Sequence, residues 1–518
     1  MHLFRADEFA TADTVARLLD CNPFGPDRVG LERQALGPAF IPNGPIWHSA
    51  GDAWISNPNT PLLRERLETL VAAVLPRLDA ASRATSAELD AWRGTVLYLL
   101  WLRYEDDLYY LLEPPAAAAG CRSETPAAAL LYDRFARDVA TLLGPLPGRP
   151  PDTPHLFAVA WQARRAFHFI FRKIFGASLP IANLRAAVWD ALFTQKPGRY
   201  RTLRYPHMRD VAILVTGESG TGKELVARAV ALSQYLPFDS ATGTFAADPE
   251  DCFLALNAST LSPTVIEAEL FGHSRGAFTG ADTERAGWFE TCGRWGTIFL
   301  DELGDLEPFV QLKLLRVIEN RTFQRMGETT KRPFEGKIVA ATNRNLHEDI
   351  NAGRFRADFY NRVRTVAIET PSLRKQLDDC PGDLRNLVLI AARRAFDPAE
   401  SEEIADEVVA WIDKHLGPDY PWHGNMRELE QCVRSVVVAG THDAHAGPHR
   451  AAAANGLPAE VHELARRIAD ASITADELRD RYIEIAYARL GSFQDTGKKL
   501  DVDWRTVRRI VGRSERGG

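Results

Sequence analysis

The sequence predicts a multidomain fold: a mostly α-helical N-terminal region, a central α/β domain with an α-helical lid, and a C-terminal helix-turn-helix. Three observations carry this order. Apolar residues recur at helical spacing through much of residues 60–175. Between residues 211 and 342, short apolar runs end in glycine-rich or acidic segments, as buried parallel strands do. Beyond residue 474, two short helical stretches flank a tight turn. The expected boundaries are 1–175 for the N-terminal region, 181–375 for the α/β core, 376–440 for the lid, 441–472 for a linker and 473–518 for the C-terminal domain.

At 518 residues the chain is too long for a single core, and 25% charged with 45% hydrophobic residues is the balance of a soluble globular protein. A net charge of −7 gives no global nucleic-acid signal, so any DNA contact must come from a local basic face. The cysteines at positions 21, 121, 252, 292, 380 and 432 form no C-x-x-C pair, which argues against a zinc site and a disulfide framework. The start Met1-His2-Leu3-Phe4-Arg5-Ala6 lacks a basic segment leading into an apolar one. The most apolar runs, 96–102 and 167–175, are too short or broken by charge to cross a bilayer. A cytoplasmic protein without membrane partners is expected.

Residues before about Pro61 are rich in Pro, Gly and Asn and predict no fold. A helix then starts at Asn59-Thr60-Pro61, with Leu63, Leu67, Leu70, Val71, Val74, Leu75 and Leu78 along one face. Helices follow over 88–113, 125–143 and 155–175, with the proline-rich 145–154 as a stiff connector. Trp92, Trp101, Tyr104, Tyr109 and Tyr110 have the spacing of core aromatics, or of a pocket lining. Glu105-Asp106-Asp107 reads as a solvated helix face.

The central domain opens with a helix over 181–195, read as amphipathic. The apolar run 211–215 leads into Gly217-Glu218-Ser219-Gly220-Thr221-Gly222-Lys223-Glu224, and a helix follows. Strand, GxxxxGK, helix is the context of a P-loop: glycines let backbone N–H groups surround phosphates at a helix N-terminus, and Lys223 adds charge. Downstream, Thr297-Ile298-Phe299-Leu300-Asp301-Glu302 is an apolar strand that delivers two carboxylates to the same end of a parallel sheet. Asp301 is suited to hold Mg2+ and Glu302 to orient or deprotonate an attacking water, so ATP and Mg2+ are the expected ligands. Between these motifs lies Gly276-Ala277-Phe278-Thr279-Gly280-Ala281, where glycines can present Phe278 at a loop tip.

GAFTGA, together with G-E-S-G-T-G-K-E, in which Glu224 stands where Ser or Thr is usual, resembles the sigma-54-dependent transcriptional activators of the AAA+ family. The likeness covers residues 181–440 strongly. It implies a ring ATPase, in that family a hexamer, whose residues 276–281 touch sigma-54 RNA polymerase. By the same resemblance Asn257 restrains Glu302, Thr342 and Asn343 end the sensor I strand, Arg356 and Arg362 are arginine fingers, and Arg427 is sensor II. Four places depart from the family: His423 replaces a proline and is expected to loosen its turn, residues 238–251 look inserted, and Cys292-Gly293-Arg294-Trp295 replaces A-D-G-G. The fourth is the N-terminal region itself, which lacks the β/α alternation of a receiver domain and is read as a signal sensor.

The His-, Gly- and Pro-rich 441–458 reads as a linker. A helix capped at Thr474 runs to Leu490, and residues 494–500, the turn Asp501-Val502 and a helix from Trp504 complete a helix-turn-helix of the Fis type. Arg505, Thr506, Arg508 and Arg509 lie on its last helix and are the expected contacts to upstream DNA. Two competing readings are a nucleotide-responsive DNA-binding regulator that needs no hydrolysis and a protein-remodelling AAA+ chaperone. Intact Glu302, Arg356, Arg362 and GAFTGA oppose the first. The terminal DNA reader opposes the second.

Overall fold

The computed structural model describes residues 2–44, 57–78, 84–112, 127–148, 150–193, 210–278, 281–442, 467 and 472–514. Residues 1–442 form one compact body and residues 443–518 another.

In the first body the regular elements of the N-terminal region among the described residues are helices: α1 (Ala6–Asp20), α2 (Asp27–Leu36), α3 (Asn59–Val74), α4 (Ser86–Arg103), α5 (Glu105–Tyr110), α6 (Ala127–Leu143), α7 (Thr153–Lys173) and α8 (Leu179–Phe193). The two helices before residue 40 are a correction to the reading of that stretch as unassignable. Their apolar residues, Ala12, Val15, Leu18, Leu31 and Ala35, are buried against α3 and α4, so tertiary packing supplies what the weak local pattern lacks. Gly94 lets α1 and α4 cross closely, since a Cβ there would lie 2.4 Å from that of Ala16. The expected face of α3 is buried, apart from half-buried Leu75 just beyond its end. Residues 88–112 form two helices rather than one. They part at Tyr104, whose ring is buried and whose hydroxyl donates to Asp138 at 3.0 Å.

Two further expectations fail here. Glu105 and Asp107 are not simply solvated, because they pair with Arg164 (2.9 Å) and Arg134 (3.3 Å). Helix α8 is not amphipathic, because apolar residues all round it are buried between α7 and the central sheet.

The central domain is a five-stranded parallel sheet of β1 (Ile213–Thr216), β2 (Phe253–Asn257), β3 (Thr297–Asp301), β4 (Lys337–Thr342) and β5 (Val366–Glu369), in the order β5-β1-β4-β3-β2. Its helices are α9 (Lys223–Leu232), α10 (Pro263–Phe271), α11 (Trp288–Thr291), α12 (Pro308–Asn320), α13 (Leu346–Asn351) and α14 (Ala357–Val363). A four-helix lid follows: α15 (Leu373–Asp379), α16 (Asp383–Ala395), α17 (Ser401–His415) and α18 (Asn425–Ala439).

The N-terminal region and the sheet share continuous packing. Phe157 and Trp161 of α7 belong to the N-terminal core, while Ile170 and Phe171, farther along the same helix, pack with Ile213, Val226 and Val230 under the sheet. The inserted segment forms a short hairpin, Phe238–Asp239 with Thr244–Phe245. Its phenylalanines enter the N-terminal core, Phe245 stacking on Trp161 at 3.7 Å and Phe238 meeting Phe157 edge-on at 4.9 Å. Trp295, from the Cys292-Gly293-Arg294-Trp295 departure, packs on the same core.

The second body contains α19 (Ala475–Leu490), α20 (Phe493–Leu500) and α21 (Trp504–Ser514). Thr474 caps α19, accepting from the Glu477 N–H, and Asp503 accepts from that of Arg505 at 2.8 Å. Asp501 turns the chain with φ 54°, and Ile483, Val507, Ile510 and Val511 form the small core.

Candidate nucleotide site and its moving parts

The P-loop runs from the end of β1 to the start of α9. Gly217, Gly220 and Gly222 all have positive φ, and none tolerates a larger residue at that conformation without strain. A Cβ at Gly217 would lie 2.1 Å from Thr370 Oγ1, and one at Gly220 2.3 Å from the Gly424 carbonyl. The loop is therefore packed from behind by the end of β5 and by the lid. Lys223 is buried, with Nζ donating to the Gly217 and Glu218 carbonyls at 3.1 Å each. Burial lowers its pKa, and the carboxylates of Glu302 and Asp301 oppose that shift.

Beside β1, β4 places Thr342 next to Thr216, and beside β4, β3 delivers Asp301 and Glu302. Glu302 sits at φ 52°, a left-handed corner that turns the chain directly off the strand. The next turn is tied to the sensor strand, since Arg344 bonds Asp305 at 2.9 Å while its N–H donates to Thr342 Oγ1. Asn343 is exposed beyond the strand end. Asn257 is in register with Asp301, but its Oδ1 accepts from the Ser259 N–H and hydroxyl, at 2.9 and 2.7 Å, and no bond to Glu302 is formed.

Arg427 of α18 reaches Ser219 Oγ at 3.1 Å, bringing the lid to the P-loop as its motif suggests. Sequence reasoning missed its neighbour Asn425. This residue is fully buried at φ 52°, donates to the Ser219 carbonyl (2.9 Å) and Glu218 (3.2 Å), and accepts from the Leu373 N–H (2.7 Å). The Gly-Asn pair is itself a turn signal and could have pointed to it. The turn around His423 is not loosened: Asn425 N–H donates to the Trp422 carbonyl, the Trp422 ring is buried against Tyr420, and Glu428 accepts from the Gly424 N–H. Thr370 was also missed. Its hydroxyl lies 2.6 Å from that of Thr221.

Arg362 stands on α14 and Arg356 at its start. They pair with Asp358 (2.7 Å) and Glu319 (3.2 Å) and remain substantially exposed. Among the described residues of this motif, Gly276 N–H donates to the Ala281 carbonyl and Ala281 N–H to that of Phe278. Phe278 is half-buried, edge-on to His273 at 5.0 Å, rather than displayed at a tip. Thr279 and Gly280 lie outside the described residues. The base of the loop is held by Ser274 N–H on the Met326 carbonyl and by Met326 N–H on that of Gly272. Arg505, Arg508 and Arg509 are exposed on α21, with Thr506 half-buried beside them. No helix among the described residues is long and apolar enough to cross a membrane.

A parallel sheet in the order 5-1-4-3-2, a glycine loop closing on a helix N-terminus, an acidic strand end and a helical lid touching the loop define the AAA+ class of α/β nucleotide-binding domain. Residues 199–369 match the family model described as the Sigma-54 interaction domain, so the chain carries a domain of that kind. It is 42% identical over 230 residues to the transcriptional regulatory protein ZraR of Escherichia coli K12, covering 44% of this chain and 47% of that one. It is 39% identical over 239 residues to the regulator NtrC of Rhizobium meliloti, covering 46% and 45%. The regulator SfnR of Pseudomonas fluorescens also aligns at 39% over 239 residues, 45% and 59% of the two chains. The chain thus spans about half the length of the curated relatives it matches. Among solved structures, NtrX from Brucella abortus aligns with a TM-score of 0.37 at 22% identity, over 75% of this chain and 84% of that one.

Proposed function

We propose that the protein is a DNA-bound activator that hydrolyses ATP in a ring and uses it to remodel the closed complex of sigma-54 RNA polymerase. The observation that carries this reading is the convergence of Lys223, Asp301, Glu302, Thr342 and Arg427 around one glycine loop, in a domain that also holds GAFTGA. The loop's N–H groups and Lys223 bind the phosphates. Asp301 would hold a magnesium ion, which would supply charge neutralisation at the phosphates. Glu302 orients the attacking water, and Asn257 restrains it once its amide leaves Ser259.

Arg356 and Arg362 face outward with only surface ion pairs to break, which suits action on a neighbouring subunit's nucleotide in a hexamer. The 276–281 loop has a second state, in which Phe278 leaves His273 and meets sigma-54. Arg505, Thr506, Arg508 and Arg509 bind upstream DNA. The test is a pair of variants in the full chain. Glu302→Gln is expected to retain ATP binding while turnover falls at least a hundredfold, and Thr279→Ala to retain most ATPase activity yet open no sigma-54 promoter in vitro. Normal turnover in the first, or normal promoter opening in the second, defeats the reading.

A further inference from the structure

Between α1 to α5, α7 and α8 lies a cleft of about 780 Å³, continuous in its lining with a smaller apolar recess of about 100 Å³. Cys21, Trp101, Ala163 and Trp189 line both. This is the size range of a small-molecule site, and it is distinct from the nucleotide loop. Its chemistry is uneven in an informative way. Glu32 lines the wall and is 1% exposed. Its Oε1 accepts from Arg28 (2.7 Å) and Asn57 (2.6 Å), whereas its Oε2 is buried with no partner.

A buried carboxylate oxygen left unsatisfied is costly, and a group able to donate to it recovers that cost. Trp101 Nε1 on the same wall is likewise buried without a partner. Among the described residues the wall also carries Glu65, Glu68, Glu105 and Asp106 against Arg28 and Arg64. Glu68 and Glu105 are matched by Arg103 and Arg164, and Arg28 by Glu32, so the local balance stays negative. Consistent with that field, the Tyr98 hydroxyl is pushed far above the ordinary phenol range, first by burial and then by the charge of Glu32.

We propose that this cleft binds a small amphipathic amine, its apolar body between Trp101 and Trp189 and its ammonium group on Glu32. Aromatic walls and an acidic partner are what such a cation recognises. Occupancy reaches the nucleotide site by a short route. Ala163 and Phe167 of α7 line the cleft. Between them Arg165 donates to the Leu232 (2.9 Å) and Gln234 (2.5 Å) carbonyls at the far end of the P-loop helix α9. Trp189 lies on α8, which packs against that helix and β5. This second part rests on the hydrolysis reading above, and the binding part does not.

Calorimetric titration of the full-length protein with benzylamine, phenethylamine, tryptamine, 2-phenylethanol and phenylacetate separates them. At least one amine is expected to saturate below millimolar concentration, with 2-phenylethanol at least tenfold weaker than phenethylamine and phenylacetate not binding. Glu32→Gln should weaken the amine at least tenfold, and Ala163→Trp, which fills the cleft without touching the Glu32 network, should abolish it. Binding is overturned if no amine saturates, if phenylacetate binds as well as phenethylamine, or if Ala163→Trp leaves affinity intact. Coupling is overturned if a saturating amine binds yet changes neither ATP affinity nor turnover by twofold.

Discussion

Asn425 joins the lid to the P-loop through two part-buried hydrogen bonds, to Ser219 and Glu218, while its Oδ1 accepts a buried one from the Leu373 N–H within the lid, so its replacement isolates what that joint contributes. Asn425→Ala leaves buried partners unsatisfied at a cost of roughly 1–3 kcal/mol and also strains a left-handed position. Asn425→Gly removes only the second problem. Both are expected to raise the apparent Kd for ATP severalfold, with the glycine variant recovering thermal stability but not affinity; recovery of both would make the amide idle. A second residue-scale prediction concerns acid. Glu8 is held at about 2 against an ordinary 4.5, chiefly by its paired hydrogen bonds from Arg77 and partly opposed by burial. Because the folded value is the lower one, the stability that this pair contributes is present above the ordinary carboxylate range and is lost as pH falls towards 2. Arg77→Met should therefore lower the denaturation midpoint of the N-terminal region at pH 6 and make little difference at pH 2.5.

At the scale of elements, the parts legible in the sequence were those with a local code. Gly-rich loop, acidic strand, the cap at Thr474 and the turn at Asp501 all announce themselves by residue type at fixed spacing, and each forms as expected. What stayed illegible was decided by distant partners. Helices α1 and α2 have weak periodicity and exist through burial against α3 and α4, and α8 looks amphipathic until two layers close over it. Asn257 was assigned by resemblance and Phe278 from its flanking glycines, and here both hold other partners. The last helix α21 gives the clearest element-level test of function. Its arginines are exposed, so Arg508→Ala/Arg509→Ala should leave thermal unfolding unchanged while cutting DNA affinity and lowering the slope of log K against log salt by about 2 if both touch phosphate. An unaltered slope with unaltered affinity would place the DNA contact elsewhere.

For the whole molecule, the shared packing changes what removal of the N-terminal region should do. Starting the chain near Ala177 takes away α7 and with it the cover over Phe238, Phe245 and Trp295. It also leaves the carbonyls of Leu232, Ser233 and Gln234 without Gln162 and Arg165. Core phenylalanines each lose about 3–5 kcal/mol when their packing is removed. A truncated protein that is simply constitutive is therefore not expected. Such a chain should aggregate or melt well below the full-length protein, and a truncation that melts at the same temperature while hydrolysing ATP faster would show that the N-terminal region is a removable brake.

The hairpin at residues 238–245 makes the same point about inheritance and engineering. Its two phenylalanines, with Trp295, are rooted in the central domain but complete a core that belongs to the N-terminal helices. A sensor of this kind does not travel as a cassette. Grafting residues 1–193 onto a relative's ATPase would transplant a hydrophobic socket without its plug. Grafting a different sensor onto this ATPase would leave the plug standing in water. A working chimera has to move three separated pieces of sequence together, and the junctions that matter are inside the recipient domain, not at its edge.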